Sequence, residues 1–307
     1  VFNTVDYKYV LGLTATFERL DGKHKIVEKY CPICDNVPIT ECLINGWISS
    51  YKIYQVLIDV DDIDTYKQYN KQFQSDFEFF NFDFNLAMSL LGPKGFINRA
   101  KLRDERCPNG TEEQRKAMFQ NITFHATSFM RMIQKRKAFI NNHPKKIELT
   151  QRIIDSRPNS KIITFANNVK MAEAINRGEV YTGKTGKKKG RTTIEEFNNK
   201  ETGVLCTCFK ADEGMDIKGL SVGIVLGTNS SEIKATQRIG RICRFEEGKQ
   251  AEMFYLIINN TVESEWFLKA NSNQNYITID EEGLNDVLAG KEPKPYVKKL
   301  KNFTFRF

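Results

Sequence analysis

The strongest constraint on this chain is the run from Lys145 to Ile258, where short apolar segments alternate with amphipathic ones. Lys161-Ile-Ile-Thr-Phe165, Val180-Tyr181, Gly203-Val-Leu-Cys-Thr207, Val222-Gly-Ile-Val-Leu226 and Ala251–Ile258 read as strands. Each is a compact buried-type run bounded by turn-forming residues. Helices are expected over Lys145–Ser156, from a cap at Asn167 or Asn168 through Ile175, and over Arg191–Asn198 and Ser231–Ile242. Strands separated by helices at this spacing require a parallel sheet with right-handed crossovers, so the fold class is α/β. Ligands of such sheets sit beyond the carboxyl ends of the strands, which directs attention to the loops after Phe165, Thr207 and Leu226.

Upstream the pattern differs. Tyr7–Thr16 reads as a short buried strand entering a small-residue turn, and Ile53–Val60 as a further strand ending in acidic residues. From Asp62 to about His143 the periodicity is helical. Ile63, Tyr66, Tyr69, Phe73, Phe77 and Phe80 form one aromatic stripe, and Phe129, Met132, Ile133 and Ile140 mark a second helix after the polar stretch Cys107–Glu113. Both stripes are read as core packing. The chain has 307 residues, two domains' worth at roughly 150 each. Its 40% hydrophobic content and net charge of +8 exclude disordered, collagenous and small disulfide-stapled classes. No apolar run approaches the roughly 20 residues that span a bilayer. The chain begins at Val1 with no leader visible and has an odd cysteine count, so reduced thiols and an intracellular, cytoplasmic location are expected (host cytoplasm if viral). Its Asn, Lys and Ile content suits an AT-rich genome, phage or bacterial.

Metal and hydrolase chemistry find little to work with. Cys31-Pro-Ile-Cys34 is a single pair at metal spacing, with Cys42 and Cys107 as further thiols, whereas structural zinc sites use two such pairs. No metal is expected. His24, His125 and His143 are scattered, without HExxH or a nucleophile arrangement. Gly178-Glu-Val-Tyr-Thr-Gly183-Lys184-Thr185 fits the phosphate-loop pattern GxxxxGK[ST] letter for letter. A working loop needs a strand entering the first Gly and a helix leaving the Thr. Here a helix precedes Gly178, the strand falls inside the motif, and Gly-Lys-Lys-Lys-Gly is a poor helix start. The match is therefore refused. Lys184, Lys187, Lys188, Lys189 and Arg191 instead form a basic loop, either a solvated charge run or a contact for phosphate backbone.

Ala235-Thr-Gln237-Arg238-Ile-Gly240-Arg241-Ile-Cys-Arg244 carries most of the chemical information. Helical spacing places Gln237, Arg241 and Arg244 at i, i+4 and i+7 on one face. Such a face is either solvated or gathered around an anion. Gly240 costs a helix about 1 kcal/mol, which close approach of a backbone or ligand would offset. Glu213-Gly214-Met-Asp216 follows a buried strand, where a glycine and a carboxylate can approach ribose and phosphates. Planar, permanently ionised arginine suits the charge of a transferring phosphoryl group.

At these residues the chain resembles the second motor lobe of a superfamily 2 helicase of the DExH type. Leu13-Thr-Ala-Thr-Phe-Glu-Arg19-Leu-Asp21-Gly22 is similar to the LTATPxRxDG segment, motif III, of DNA-repair translocases and the type III restriction helicase group. Val204–Asp216 resembles motif V, and Gln237–Arg244 matches motif VI, QRxGRxxR. Lys161–Ile175 is similar to motif IV, and Tyr181-Thr-Gly183 with Arg191 and Phe197 resembles the strand and helix that follow it. Phe17 replaces the usual Pro, and Cys208 stands where a Thr or Ser normally contacts phosphate, with Thr207 beside it.

The resemblance implies a RecA-like parallel sheet flanked by helices, with a helical insertion. Residues 1–20 would end the N-terminal lobe, and 21–61 would be linker and first strand of the second lobe. The insertion would span 62–144, motifs IV–VI would occupy 145–262, and 263–307 would be a C-terminal extension packing against the other lobe. Walker A and DExH motifs are expected before residue 1. ATP would bind between the lobes, with Mg2+ held mainly by the N-terminal lobe. Arg241 and Arg244 would stabilise γ-phosphate charge, Arg244 being the preferred finger, and Gln237 would sense that phosphate. Gly214, Asp216 and Arg238 would contact the nucleotide. Nucleic acid, DNA rather than RNA, would meet Thr14, Thr16, Thr164, Asn167, Thr182, Gly183, Lys184, Thr207 and Cys208. The activity implied is that of an ATP-dependent helicase, with this portion inactive alone. The rival readings are a non-catalytic nucleic-acid-binding lobe and a stand-alone kinase or NTPase using Gly178–Thr185.

Overall fold

The computed structural model describes residues 8–14, 17, 22–183, 185–208, 217–294 and 296, with 187 and 188 described by backbone alone. The chain divides into two compact units, Val1–Ile58 with Pro144–Phe307, and Asp59–His143. It opens with α1 (His24–Tyr30), α2 (Ile39–Ile44) and β1 (Ser50–Ile58), then leaves for the second unit, which holds α3 (Ile63–Phe79), α4 (Phe84–Ser89), α5 (Gly95–Arg106) and α6 (Glu112–Asn142). It returns through α7 (Pro144–Asp155), β2 (Lys161–Ala166), α8 (Val169–Ala174), β3 (Glu179–Tyr181), α9 (Lys187–Asn198) and β4 (Gly203–Cys208). After β4 come β5 (Val222–Val225), α10 (Glu232–Ile242), β6 (Gln250–Ile258), α11 (Val262–Ala270), β7 (Ile277–Ile279) and α12 (Glu281–Leu288).

The described strands form one seven-stranded sheet in the order β3-β4-β2-β5-β6-β1-β7. Every pairing is parallel. β1 enters between β6 and β7 and matches β6 over its full length, from Ser50 opposite Gln250 to Ile58 opposite Ile258. β2, β5 and the second half of β6 are buried throughout, as a parallel sheet covered on both faces demands. On one face Ile163, Phe165, Leu205, Val225, Met253 and Tyr255 pack with Ile239 and Ile242 of α10 and Phe267 of α11. From β2 the chain steps outward to β3 and returns by β4, then crosses to β5 on the other side of β2. The connections leaving β2 and β5 therefore diverge, and a crevice is expected at their carboxyl ends.

Of the two caps expected for α8, Asn167 or Asn168, it is Asn168 whose side chain accepts from the Met171 amide. The helix expected from Arg191 begins at Lys187. Lysines oppose the positive end of a helix, but burial of Phe197 and packing of Ile194 on the sheet outweigh that cost. The chain beyond 262 builds onto this unit's own sheet. Phe267 joins the sheet's core, β7 pairs with β1, and Arg157 donates to the carbonyls of Val287 and Leu288 at the end of α12.

In the second unit α3, α4 and α5 pack on α6. Thr111 and Gln114 start α6 with a reciprocal capping box. Phe73 and Phe77 set their rings 5.1 and 5.4 Å from that of Phe129, and Phe80, Leu90, Leu102 and Ile122 complete the core. The aromatic stripe and the second apolar stripe read from the sequence thus meet. Helices α4 and α5 were not foreseen, because α4 is six residues long and α5 spreads Arg99, Lys101, Arg103 and Arg106 around its length.

Candidate functional site

Ser231 starts α10 by accepting from the Lys234 amide, and Ala235, Ile239 and Ile242 bury one side of the helix. That stripe fixes the helix's rotation and divides its polar residues. Arg238 falls on the buried side, 6% exposed, with its guanidinium 5.0 Å from the centre of the Phe165 ring. It donates to the Gly227 carbonyl at 3.3 Å. Burial pushes the neighbouring Tyr255 hydroxyl up to about 12, with the Arg238 charge pulling the other way. Arg238 therefore holds the end of β2 to the turn after β5. Gln237 and Arg241 lie one turn apart on α10, both half-buried.

Arg244 is not on the helix. α10 ends at Ile242 with Cys243 as its cap, and Arg244 then pairs antiparallel with Ile48. The i+7 relation to Gln237 does not survive, because the backbone turns extended to make that bridge. The exposed Arg244 side chain donates to the Ile217 carbonyl at 3.2 Å, joining motif VI to the residue that follows the expected motif V loop. Gly240 is exposed, and among the described residues nothing lies within 4 Å of where its Cβ would be. The close approach expected there is absent among those residues.

The loop between β5 and α10 rests on an ion pair that the sequence concealed. Lys146 of α7 and Glu263 of α11 are fully buried, with Nζ 2.6 and 2.8 Å from the two carboxylate oxygens. Lys146 also donates to the Leu226 carbonyl at 2.9 Å, and Glu263 accepts from the Ile258 amide at 3.0 Å. Burial pushes the ammonium down and the carboxyl up, and their mutual attraction opposes both shifts. The pair ties the ends of β5 and β6 to α7 and α11, and so sets where the connection into α10 begins. No local motif links two residues 117 positions apart.

The residues expected to meet nucleic acid divide by burial. Thr164, Thr207 and Cys208 are buried within β2 and β4, and the Thr207 hydroxyl donates to the Thr164 carbonyl at 2.6 Å. Thr164 also sits against Cys206, whose thiol burial pushes up to about 11. Their side chains lie within the sheet. Asn167 is half-buried at the end of β2, and a Cβ at Gly227 would sit 1.9 Å from its side-chain carbon. Thr182 is buried, forming a turn in which its amide donates to the Thr185 hydroxyl and its carbonyl accepts from the Thr185 amide. Gly183 and Thr14 are exposed. Thr16, Lys184, Gly214 and Asp216 lie outside the described residues.

The phosphate-loop match resolves into other parts. β3 lies inside it at the edge of the sheet. Gly178 has φ +127°, and a Cβ there would sit 2.3 Å from the Val204 carbonyl oxygen. This glycine serves close approach to β4 and a left-handed backbone.

Residues 145–246 match the helicase conserved C-terminal domain family. This stretch carries a helicase conserved C-terminal domain. The chain is also 27% identical over 259 residues to the DNA 3'-5' translocase XPB2 of Sulfurisphaera tokodaii, covering 83% of this chain and 54% of that protein. A putative helicase of Sulfolobus islandicus filamentous virus is 34% identical over 79 residues, 26% of this chain and 14% of that protein. The chain thus spans about half the length of the first relative and a smaller part of the second. Among solved structures, S. cerevisiae Dbp5 bound to RNA and ADP BeF3 aligns with 47% of this chain and 40% of its own at 15% identity, with a TM-score of 0.42.

In the helicase lobe, Gln237, Arg241 and Arg244 offer an amide and two guanidiniums, a donor set complementary to polyphosphate oxygens. It has no carboxylate for Mg2+, and among the described residues no group of three or more His, Cys, Asp or Glu could hold a metal. No helix among the described residues is long and apolar enough to cross a membrane.

Proposed function

We propose that this chain is the C-terminal part of an ATP-dependent helicase or translocase that acts on DNA inside the cell, in the cytoplasm. The observation that carries the reading is the arginine segment. Gln237 and Arg241 stand on a helix whose rotation is set by burial, and Arg244 is held at the Ile217 carbonyl beside the motif V segment. Arg244 and Arg241 stabilise charge on the γ-phosphoryl group as it transfers, and Gln237 reads that phosphate. ATP sits between this lobe and an N-terminal one that supplies the phosphate loop and the carboxylates for Mg2+. Gly214 and Asp216 approach the ribose. Thr14, Thr16, Asn167, Thr182, Gly183 and Lys184 contact the nucleic-acid backbone, positioning the strand without reading its bases. The translocase relative favours DNA.

The test is ATP hydrolysis by the full-length protein with duplex DNA, single-stranded DNA or RNA added. DNA should raise the rate more than RNA, and the chain from 1 to 307 alone should hydrolyse nothing. Hydrolysis that no nucleic acid stimulates, or no hydrolysis by the full-length protein, overturns the reading in favour of a non-catalytic lobe. Stimulation by RNA alone overturns the choice of DNA.

A further inference from the structure

Arg244 stands beyond the end of α10, so helical hydrogen bonding does not fix its backbone. Something else must aim a long side chain with several free torsions. The segment that enters β1 supplies it. Ile48 makes the antiparallel bridge to Arg244. Ser49, 4% exposed, donates its amide to the Cys243 carbonyl at 2.9 Å. Its hydroxyl lies 3.0 Å from the Arg244 carbonyl and 3.2 Å from the Glu246 carbonyl, and accepts from the Glu246 amide at 3.0 Å. A serine hydroxyl has one proton and two lone pairs, so the two carbonyls share the proton while the amide takes a lone pair. One side chain thus binds the backbone on both sides of Phe245, starting at Arg244 itself.

We propose that Ser49 is a positioning residue for Arg244, through which the segment leading into β1 sets the aim of the finger. The proposal rests on the reading of Arg244 as the γ-phosphate finger. Removing the hydroxyl leaves the Glu246 amide and the Arg244 carbonyl without this partner in a half-buried place. The hydrogen bond from the Ser49 amide to the Cys243 carbonyl involves backbone alone and persists in the side-chain variants, so the lobe keeps its fold while residues 244–246 loosen. The consequence falls on a group that acts in the transition state and not on ground-state binding.

The experiment is steady-state DNA-stimulated ATP hydrolysis by the full-length protein with Ser49→Ala, Arg244→Ala and the double variant. Ser49→Ala should lower kcat about tenfold, with KM for ATP and DNA affinity unchanged and the melting temperature lowered by no more than about 5 °C. In the Arg244→Ala background, Ser49→Ala should lower kcat no further, because both act through one guanidinium. Ser49→Cys, nearly isosteric but a weak hydrogen-bonding partner, carries the same expectation should the alanine variant fold poorly. Unchanged kcat in Ser49→Ala, a change confined to KM, or an independent further loss on top of Arg244→Ala overturns the proposal. If Arg244→Ala itself hydrolyses ATP normally, the finger reading has failed, whatever Ser49 does.

Discussion

Gly178 occupies the first position of a phosphate-loop pattern and does a different job in the fold. Its φ of +127° and the Val204 carbonyl oxygen 2.3 Å from an added Cβ leave no room for a side chain. Gly178→Ala should therefore destabilise the protein by about 2 kcal/mol or more. A lower urea midpoint at unchanged slope measures it, and an unaltered midpoint would refute the packing role. The arginines show the same dependence on surroundings. Spacing alone put Gln237 and Arg241 one turn apart, and the structure keeps them there. It could not separate Arg238, drawn inward over Phe165, from the other two, because that choice depends on which side of α10 meets the sheet. Nor could it show that the helix stops before Arg244, since the bridge that ends it involves Ile48, far away in sequence.

Strands β2, β4, β5 and β6 were legible because each is an apolar run with turn residues at its ends, and α10 because its apolar stripe is regular. Less was legible where tertiary packing overrides local preference, as at the lysine-rich start of α9 and in the short α4. The burial of Thr164, Thr207 and Cys208 could have been inferred from the parallel sheet itself, where both faces of a central strand are covered. Lys146 and Glu263 are the least legible of all, two charged residues in the core that find each other only after α7 and α11 are in place. Lys146→Ala strands a buried carboxylate and should cost about 3–5 kcal/mol. Replacing both partners, Lys146→Met with Glu263→Leu, should recover most of that loss. A double-mutant cycle by urea denaturation measures the coupling, and simple additivity of the two single losses would contradict it.

On the scale of the molecule, a length of two domains resolves into one parallel-sheet unit interrupted by a helical one. The interruption could be read from a change of period near Asp62, from alternating strands to an aromatic helical stripe. The sheet's continuation past Val262 could not, because β7 is only three residues long and its partner is β1, at the other end of the chain. That topology joins the segment before β1, the arginine segment and the chain past β6 in one unit, so the arginine segment is supported from both ends of the sequence. The central claim is that Arg244 faces the γ-phosphate and that Gly178–Thr185 is not a nucleotide loop. DNA-stimulated ATP hydrolysis by the full-length protein, compared between Arg244→Ala and Lys184→Ala, tests it most directly. The account predicts a loss of about 10³-fold or more in kcat for Arg244→Ala and retained hydrolysis for Lys184→Ala. Abolition by Lys184→Ala with Arg244→Ala intact would contradict it.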